Sequence, residues 1–132
     1  MKILEAPQMS EFWWMCRRGV PTASEFSSIL TPKTGKLSSG ADGYIERLIG
    51  DIYRPDYGKS DDFMTPAMKR GIAFESESRA WYCFERDTDV RQVGFCVSDC
   101  GRFGCSPDGL IGEDGALELK NPLPHTQAGY IL

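Results

Sequence analysis

Between Gly109 and Lys120 the chain reads Gly-Leu-Ile-Gly-Glu-Asp-Gly-Ala-Leu-Glu-Leu-Lys, two short apolar and polar alternations on either side of an Asp-Gly dipeptide. Asp-Gly between such runs is a tight-turn signal, so the two runs are expected to fold back as one β-hairpin. With Glu113-Asp114-Gly115 as the loop and Gly112 opposite Ala116, Asp108 faces Lys120 and Leu110 faces Glu118, all on one side of the hairpin by the two-residue strand period. Leu117 and Leu119 then point to the other side and demand a core beneath them. Carboxylates gathered on one face repel unless a cation or a lysine compensates them. The hairpin alone leaves two readings: an amphipathic edge with a solvated charged face, or a site built to hold a hard cation.

The chain has 132 residues, enough for one compact domain that buries about two-thirds of the surface its unfolded form exposes. A single domain over residues 1–132 is therefore expected. Apolar residues make up 41% and charged residues 26%, the balance of an ordinary globular protein. No apolar run approaches the ~20 residues of a membrane span, and Met1-Lys2-Ile3-Leu4-Glu5 does not open like a secretion signal, so no membrane association and a cytoplasmic location are expected. A net charge of −4 argues against binding nucleic acid through a broad basic surface, yet leaves room for an enzyme whose carboxylates are neutralised by bound cations.

Five cysteines, Cys16, Cys83, Cys96, Cys100 and Cys105, are an odd number without a secretion signal, which favours free thiols over a disulfide framework. Cys96, Cys100 and Cys105 are close in sequence but lack the two-residue gap of a metal knuckle, so Cys96 and Cys105 read as small apolar strand residues.

Ser10 is placed to cap a helix over Glu11–Arg18, with Gly19 as its stop. Thr22-Ala23-Ser24-Glu25 has capping-box spacing and predicts a second helix through Phe26, Ile29 and Leu30, ended by Pro32. Thr34 to Gly43 reads as a Gly- and Ser-rich loop before an amphipathic helix with Tyr44, Ile45, Leu48, Ile49 and Ile52. Arg54 to Phe63 is polar and turn-like. Thr65-Pro66 is a strong helix start, and that helix is expected to run to about Arg86 with an inner stripe of Met68, Gly71, Ile72, Glu75, Arg79 and Tyr82. A glutamate within that stripe is either half of an internal Glu75–Arg79 pair or a group that leans over the hairpin to join Asp108 and Glu118. Val90 to Val97 alternates as a strand, Asp99-Cys100-Gly101 turns, and Arg102 to Cys105 pairs back. The pattern gives an α+β fold, helices first and a β-meander after them.

Four blocks in order resemble the phage lambda exonuclease family, the YqaJ-type viral recombinases within the restriction-endonuclease-like nucleases. They are Arg17-Arg18-Gly19-Val20-Pro21-Thr22-Ala23-Ser24-Glu25, Gly71-Ile72-Ala73-Phe74-Glu75, Ser106-Pro107-Asp108-Gly109-Leu110 and Leu117-Glu118-Leu119-Lys120-Asn121-Pro122. The resemblance implies a restriction-endonuclease-like core, N-terminal helices on a mixed β-sheet with a catalytic hairpin. It further implies a Mg2+-dependent exonuclease, with Mn2+ as a substitute, that degrades the 5′-ended strand of linear duplex DNA in phage-type recombination. Asp108, Glu118 and the Leu119 backbone carbonyl match metal ligands, Glu75 matches a glutamate of the same centre, and Lys120 matches the lysine that orients or activates the attacking water. Arg17, Ser24 and Ser106 match the positions that hold the 5′-terminal phosphate.

These roles suit the residues. Hard oxygen donors suit Mg2+, which acidifies bound water and offsets charge on a phosphate. Ser24 in the first turn of a helix would meet free backbone N–H groups. Arg17 can clamp a phosphate with two parallel bonds, or can be a solvated arginine at a helix C-terminus, with Arg18 as its competitor. Phe12, Trp13 and Trp14 face different directions on their helix; they pack into the core, meet another subunit or stack on a frayed base. The family's expected partners are duplex DNA ends, a single-strand annealing protein and two further copies in a homotrimer, in a phage-infected or lysogenic bacterium. Its domain continues past Lys120 with a further helix and strands, so a chain ending at Leu132 is expected to lack that C-terminal part. The alternative is a truncated, inactive relative that binds DNA ends or a recombination partner without cleavage.

Overall fold

A computed structural model describes residues 1–53 and 64–132. The turn-like segment expected from Arg54 to Phe63 lies outside them. The described residues fall into two compact units, each discontinuous in sequence: residues 1–53 with Val93–Pro107, and residues 64–92 with Asp108–Leu132.

The first unit is built on a three-stranded antiparallel sheet of β1 (Lys2–Leu4), β2 (Phe95–Val97) and β3 (Gly104–Cys105), in that order. Its register pairs Ile3 with Cys96 and Cys96 with Cys105. The β2–β3 turn was expected, but the strand begins at Phe95 rather than Val90. Around it lie α1 (Glu11–Arg17), a 3₁₀ turn (Ala23–Glu25), α2 (Phe26–Ile29) and α3 (Ala41–Tyr53). Ser10 caps α1 by accepting the Trp13 N–H at 3.1 Å, and Gly19 leaves the helix at φ +67°. Ala6, Trp13 and Phe95 form the buried core, with Leu4, Cys16, Val20 and Val97 packed against it. Phe95 is fully buried, a contribution of about 2 to 3 kcal/mol.

The capping box expected at Thr22 is not formed. The Thr22 N–H donates to the Tyr44 hydroxyl at 3.1 Å and its own hydroxyl turns to Ser24, while the Glu25 carboxylate takes Ser28 and Arg47. With its capping groups engaged elsewhere, the expected helix shrinks to the 3₁₀ turn and the four residues of α2, and Leu30 instead makes an isolated bridge to Leu37. Helix α3 begins at Ala41, inside the segment expected to be loop, and buries Ala41 and Tyr44 while Ile45, Ile49 and Ile52 stay exposed.

The second unit pairs α4 (Pro66–Arg86) with a two-stranded hairpin, β4 (Gly109–Ile111) and β5 (Gly115–Leu117), followed by α5 (Pro124–Ile131). Helix α4 starts as expected: the Thr65 hydroxyl accepts the Met68 N–H at 3.2 Å and Pro66 occupies the first turn. No residue of α4 is fully buried. Its half-buried face carries Arg70, Gly71, Glu75, Ser78, Arg79 and Tyr82 rather than Met68 and Ile72, which are exposed. Arg91 bridges to Leu110 in both directions, N–H to carbonyl at 2.9 and 2.8 Å, which accounts for part of the strand character around Val90. Among the described residues no helix is long and apolar enough to cross a membrane.

Two expectations test the first unit. A β-carbon added at Gly94 would fall on the Ala6 carbonyl, so Gly94→Ala is expected to destabilise this unit by about 3 kcal/mol in urea unfolding. The exposed Cys100 thiol accepts stabilisation from Ser98, then from the Arg102 backbone and side chain, which lowers its pKa to about 7. Its alkylation rate should therefore rise with pH through a midpoint near 7, against roughly 8.5 for an ordinary thiol; iodoacetamide labelling of wild type and Cys100→Ser measures it.

Candidate functional site

The hairpin of the second unit positions Asp108, Glu118, Leu119 and Lys120, but not in the expected register. Gly109 pairs with Leu117, Leu110 with Ala116 and Ile111 with Gly115, so the loop is Gly112-Glu113-Asp114, with Gly112 at φ +58°. A glycine relieves the Cβ clash that this left-handed conformation imposes on other residues. Asp108 therefore does not face Lys120, nor Leu110 Glu118. Asp108 stands just before β4 and Glu118 to Lys120 just after β5, at the open end of the hairpin.

There the backbone of the two segments is tied together. The Asp108 N–H donates to the Leu117 carbonyl at 3.0 Å, and the Asp108 carboxylate accepts the Leu119 N–H in a short bond. Burial alternates from Leu117 to Lys120, as the two-residue period requires: Leu117 is buried, Leu119 half-buried, Glu118 and Lys120 exposed. Glu118 and Lys120 form an ion pair with each other, 60% and 75% exposed. A pair so exposed contributes only about 0 to 1 kcal/mol, so either partner is readily given up to another ligand.

Glu75 forms the internal pair with Arg79, both largely buried at 20% and 13% exposed. Arg79 also donates through Nε to the Asp108 carbonyl at 3.1 Å. One guanidinium thus neutralises the helix glutamate and fixes the backbone of the hairpin aspartate. Neither alternative weighed from sequence describes Glu75 completely: it is paired with Arg79, and through Arg79 it is tied to Asp108. Three hard-oxygen carboxylates in one unit are the donor chemistry of Mg2+. Among the described residues no three His, Cys, Asp or Glu side chains stand close enough together to hold an ion, because Glu75 and Glu118 are each drawn to a cation of the chain. As they stand, these carboxylates carry the chemistry of a hard-cation site without its geometry, each being held by a partner within the protein.

Sequence reasoning overlooked Asn121. Its Oδ1 accepts from the Ser78 hydroxyl at 2.6 Å and its Nδ2 donates to the Gly71 carbonyl at 3.3 Å, while Arg70 donates to the Asn121 and Pro122 carbonyls at 2.9 and 3.1 Å. The signal was present in part, since an Asn before Pro beside a charged run seldom lies in a strand interior.

A second cluster lies in the first unit. The Trp13 indole N–H reaches the Gly94 carbonyl at 3.2 Å and the Ser106 hydroxyl at 2.9 Å, and Arg17 Nη1 donates to the same hydroxyl at 3.2 Å. The Arg17 guanidinium lies 4.3 Å from the Trp13 ring centroid and 5.7 Å from that of Phe95. Burial lowers the Arg17 pKa, opposed by Tyr44, Cys105 and Glu25. Arg17, not Arg18, is the arginine that meets Ser106. A serine oxygen that accepts two N–H groups keeps its own O–H to donate, and Arg17 has further N–H groups beyond the one given to Ser106. The pair is therefore rich in donors, the chemistry of an anion site.

Trp13 is core, and Phe12 and Trp14 are exposed, at 53% and 37%. Ser24 is exposed and hydrogen-bonds Thr22. It stands in a 3₁₀ turn ahead of a four-residue helix, too short to provide the macrodipole expected to favour a phosphate.

The helices and the small sheets, with the structural match given below, make this a restriction-endonuclease-like protein of the α+β class. By family, the chain belongs to the YqaJ-like viral recombinase domain, whose model matches residues 12–130. It is similar to an alkaline exonuclease, LHK-Exo, from Laribacter hongkongensis, at 30% identity and a TM-score of 0.76, over 92% of this chain and 58% of that one. The same relation holds to LHK-Exo solved in complex with dAMP. The chain thus spans less than two-thirds of that protein's length. No curated protein matches it by sequence.

Replacing Arg79 should strand the buried Glu75 carboxylate and release the Asp108 backbone. Arg79→Ala is expected to destabilise the second unit by about 2 kcal/mol, and Glu75→Gln in the same chain to restore part of it, measured by denaturant unfolding.

Proposed function

We propose that this chain is a Mg2+-dependent 5′-to-3′ exonuclease acting on linear double-stranded DNA in phage-type recombination. The observation that carries the reading is the tie between the Asp108 carboxylate and the Leu119 backbone, next in sequence to Glu118 and Lys120, in a YqaJ-like chain that is also similar to an alkaline exonuclease. Asp108, Glu118 and the Leu119 carbonyl would hold the cation, with Mn2+ as a substitute, and Glu75 contributes to the same centre. A divalent cation there supplies positive charge for the scissile phosphate and acidifies a water molecule. Lys120, in an exposed ion pair with Glu118, would turn from it to orient the attacking water or to take up its proton. Arg79 keeps Asp108 in place throughout. Arg17 and Ser106 bind the 5′-terminal phosphate with N–H and O–H donors, and Ser24 adds a hydroxyl.

The working assembly is a homotrimer on a DNA end, in the bacterial cytoplasm of a phage or prophage host, alongside a single-strand annealing protein. One observation favours the second reading, a chain that binds ends without cutting: each carboxylate already has a partner within the protein.

Wild type with Mg2+ is expected to consume linear duplex DNA, faster with a 5′-phosphate than a 5′-hydroxyl, and to leave closed circles intact. Asp108→Ala should lower the rate by at least about a thousandfold, and Arg17→Ala should remove most of the preference for the 5′-phosphate. Gel and mononucleotide-release assays measure both. Intact linear DNA with wild type would reject the nuclease reading, and end-binding retained in a mobility shift would then favour the second.

A further inference from the structure

We infer that Asn121, held by Ser78 and Gly71 of α4, is the positioning residue that sets where Lys120 stands. The inference deepens the nuclease reading and rests on it.

Lys120 follows the last strand residue, Leu117, by three positions, so β-sheet pairing does not fix it. Its side chain is exposed and its ion pair to Glu118 is weak. A long, flexible lysine in that setting loses its position unless its backbone is anchored nearby. On one side the anchor is the Leu119 N–H bond to Asp108. On the other it is Asn121, whose amide uses both ends: Oδ1 accepts from Ser78, and Nδ2 donates to the Gly71 carbonyl. Ser78 and Gly71 are seven residues apart, two turns of α4, so both lie on the face that also carries Glu75. Arg70 reinforces the joint from the same helix, through the Asn121 and Pro122 carbonyls, with its guanidinium 4.8 Å from the Phe74 ring centroid. Lys120 is thereby bracketed: the residue before it is fixed to Asp108 and the residue after it to the helix of Glu75 and Arg79.

An asparagine does this where serine, aspartate or leucine would not. Spanning a hydroxyl donor and a carbonyl acceptor takes one acceptor and one donor on a single planar group, which a carboxylate lacks and a lone hydroxyl is too short to provide. Outer partners of this kind orient reacting groups and are worth 10- to 100-fold in activity in metal sites generally.

The test compares wild type, Asn121→Ala, Ser78→Ala and the double variant. Three readouts are used: amide hydrogen exchange without added metal, kcat and KM on 5′-phosphorylated duplex with Mg2+, and thermal unfolding. Exchange at Leu119 and Lys120 is expected to quicken at least about tenfold in Asn121→Ala, with kcat down roughly 10- to 100-fold and KM within about twofold. Ser78→Ala should show part of the same loss, and the double variant should be no worse than Asn121→Ala, since Ser78 acts through Asn121. If Asn121→Ala does not fold, Ser78→Ala carries the same comparison. Unchanged exchange would overturn the clamp whatever the activity. Faster exchange with wild-type kcat, or kcat and KM failing together, would overturn its role in positioning Lys120. A wild-type chain that leaves DNA intact removes the nuclease reading and with it the catalytic purpose of the clamp, and the exchange rates distinguish that result from a clamp that was never there.

Discussion

A glutamate on the inner face of a helix must find a counter-charge, and in this protein the requirement falls on Arg79. Its guanidinium takes Glu75 one turn away on α4 and, through Nε, the Asp108 carbonyl at the open end of the hairpin. A half-buried carboxylate without that cation would carry an uncompensated desolvation cost of about 2 kcal/mol. A lysine could not replace it, because Arg79 makes two differently directed bonds from one planar group. The second unit can therefore present an acidic surface while the helix–hairpin joint itself stays electrically balanced.

The first unit solves a different problem with similar means. Arg17 is partly removed from water, and two aromatic rings, Trp13 and Phe95, receive its charged face, while the charge of Glu25 also favours its protonated form. Trp13 serves both as core and as donor, because its indole N–H reaches Ser106 while its ring fills the cluster with Ala6 and Phe95. The core and the Arg17–Ser106 pair cannot be varied independently.

What could be read in the sequence was what local chemistry decides. Ser10, Gly19, Thr65 and Pro66 delimit two helices because caps and breakers act within a turn of where they stand. The Asp-Gly hairpin was legible for the same reason, though not its register, whereas Asp108, Glu118, Lys120, Arg17 and Ser106 were marked out by their resemblance to the family's blocks. Strand β1 was missed because three residues acquire strand character only from Phe95–Val97, some ninety positions away. The capping box at Thr22 failed because a tyrosine hydroxyl from α3 took its N–H, a competitor invisible to a local rule. Asn121 escaped notice because its partners are a helix carbonyl and a serine that sequence spacing does not mark.

The hairpin loop lies one residue earlier than expected, which displaces the register of the ladder by two, and the evenness of that register shift matters. Residues directly across an antiparallel ladder share a face, so a shift by two along one strand exchanges partners without exchanging sides, and Leu117 stays buried in either register. A register shift of one residue would set a buried side chain against an exposed one and would have to be absorbed as a bulge. The hairpin therefore tolerates re-pairing in steps of two residues, and a step of one is what would disturb the ladder.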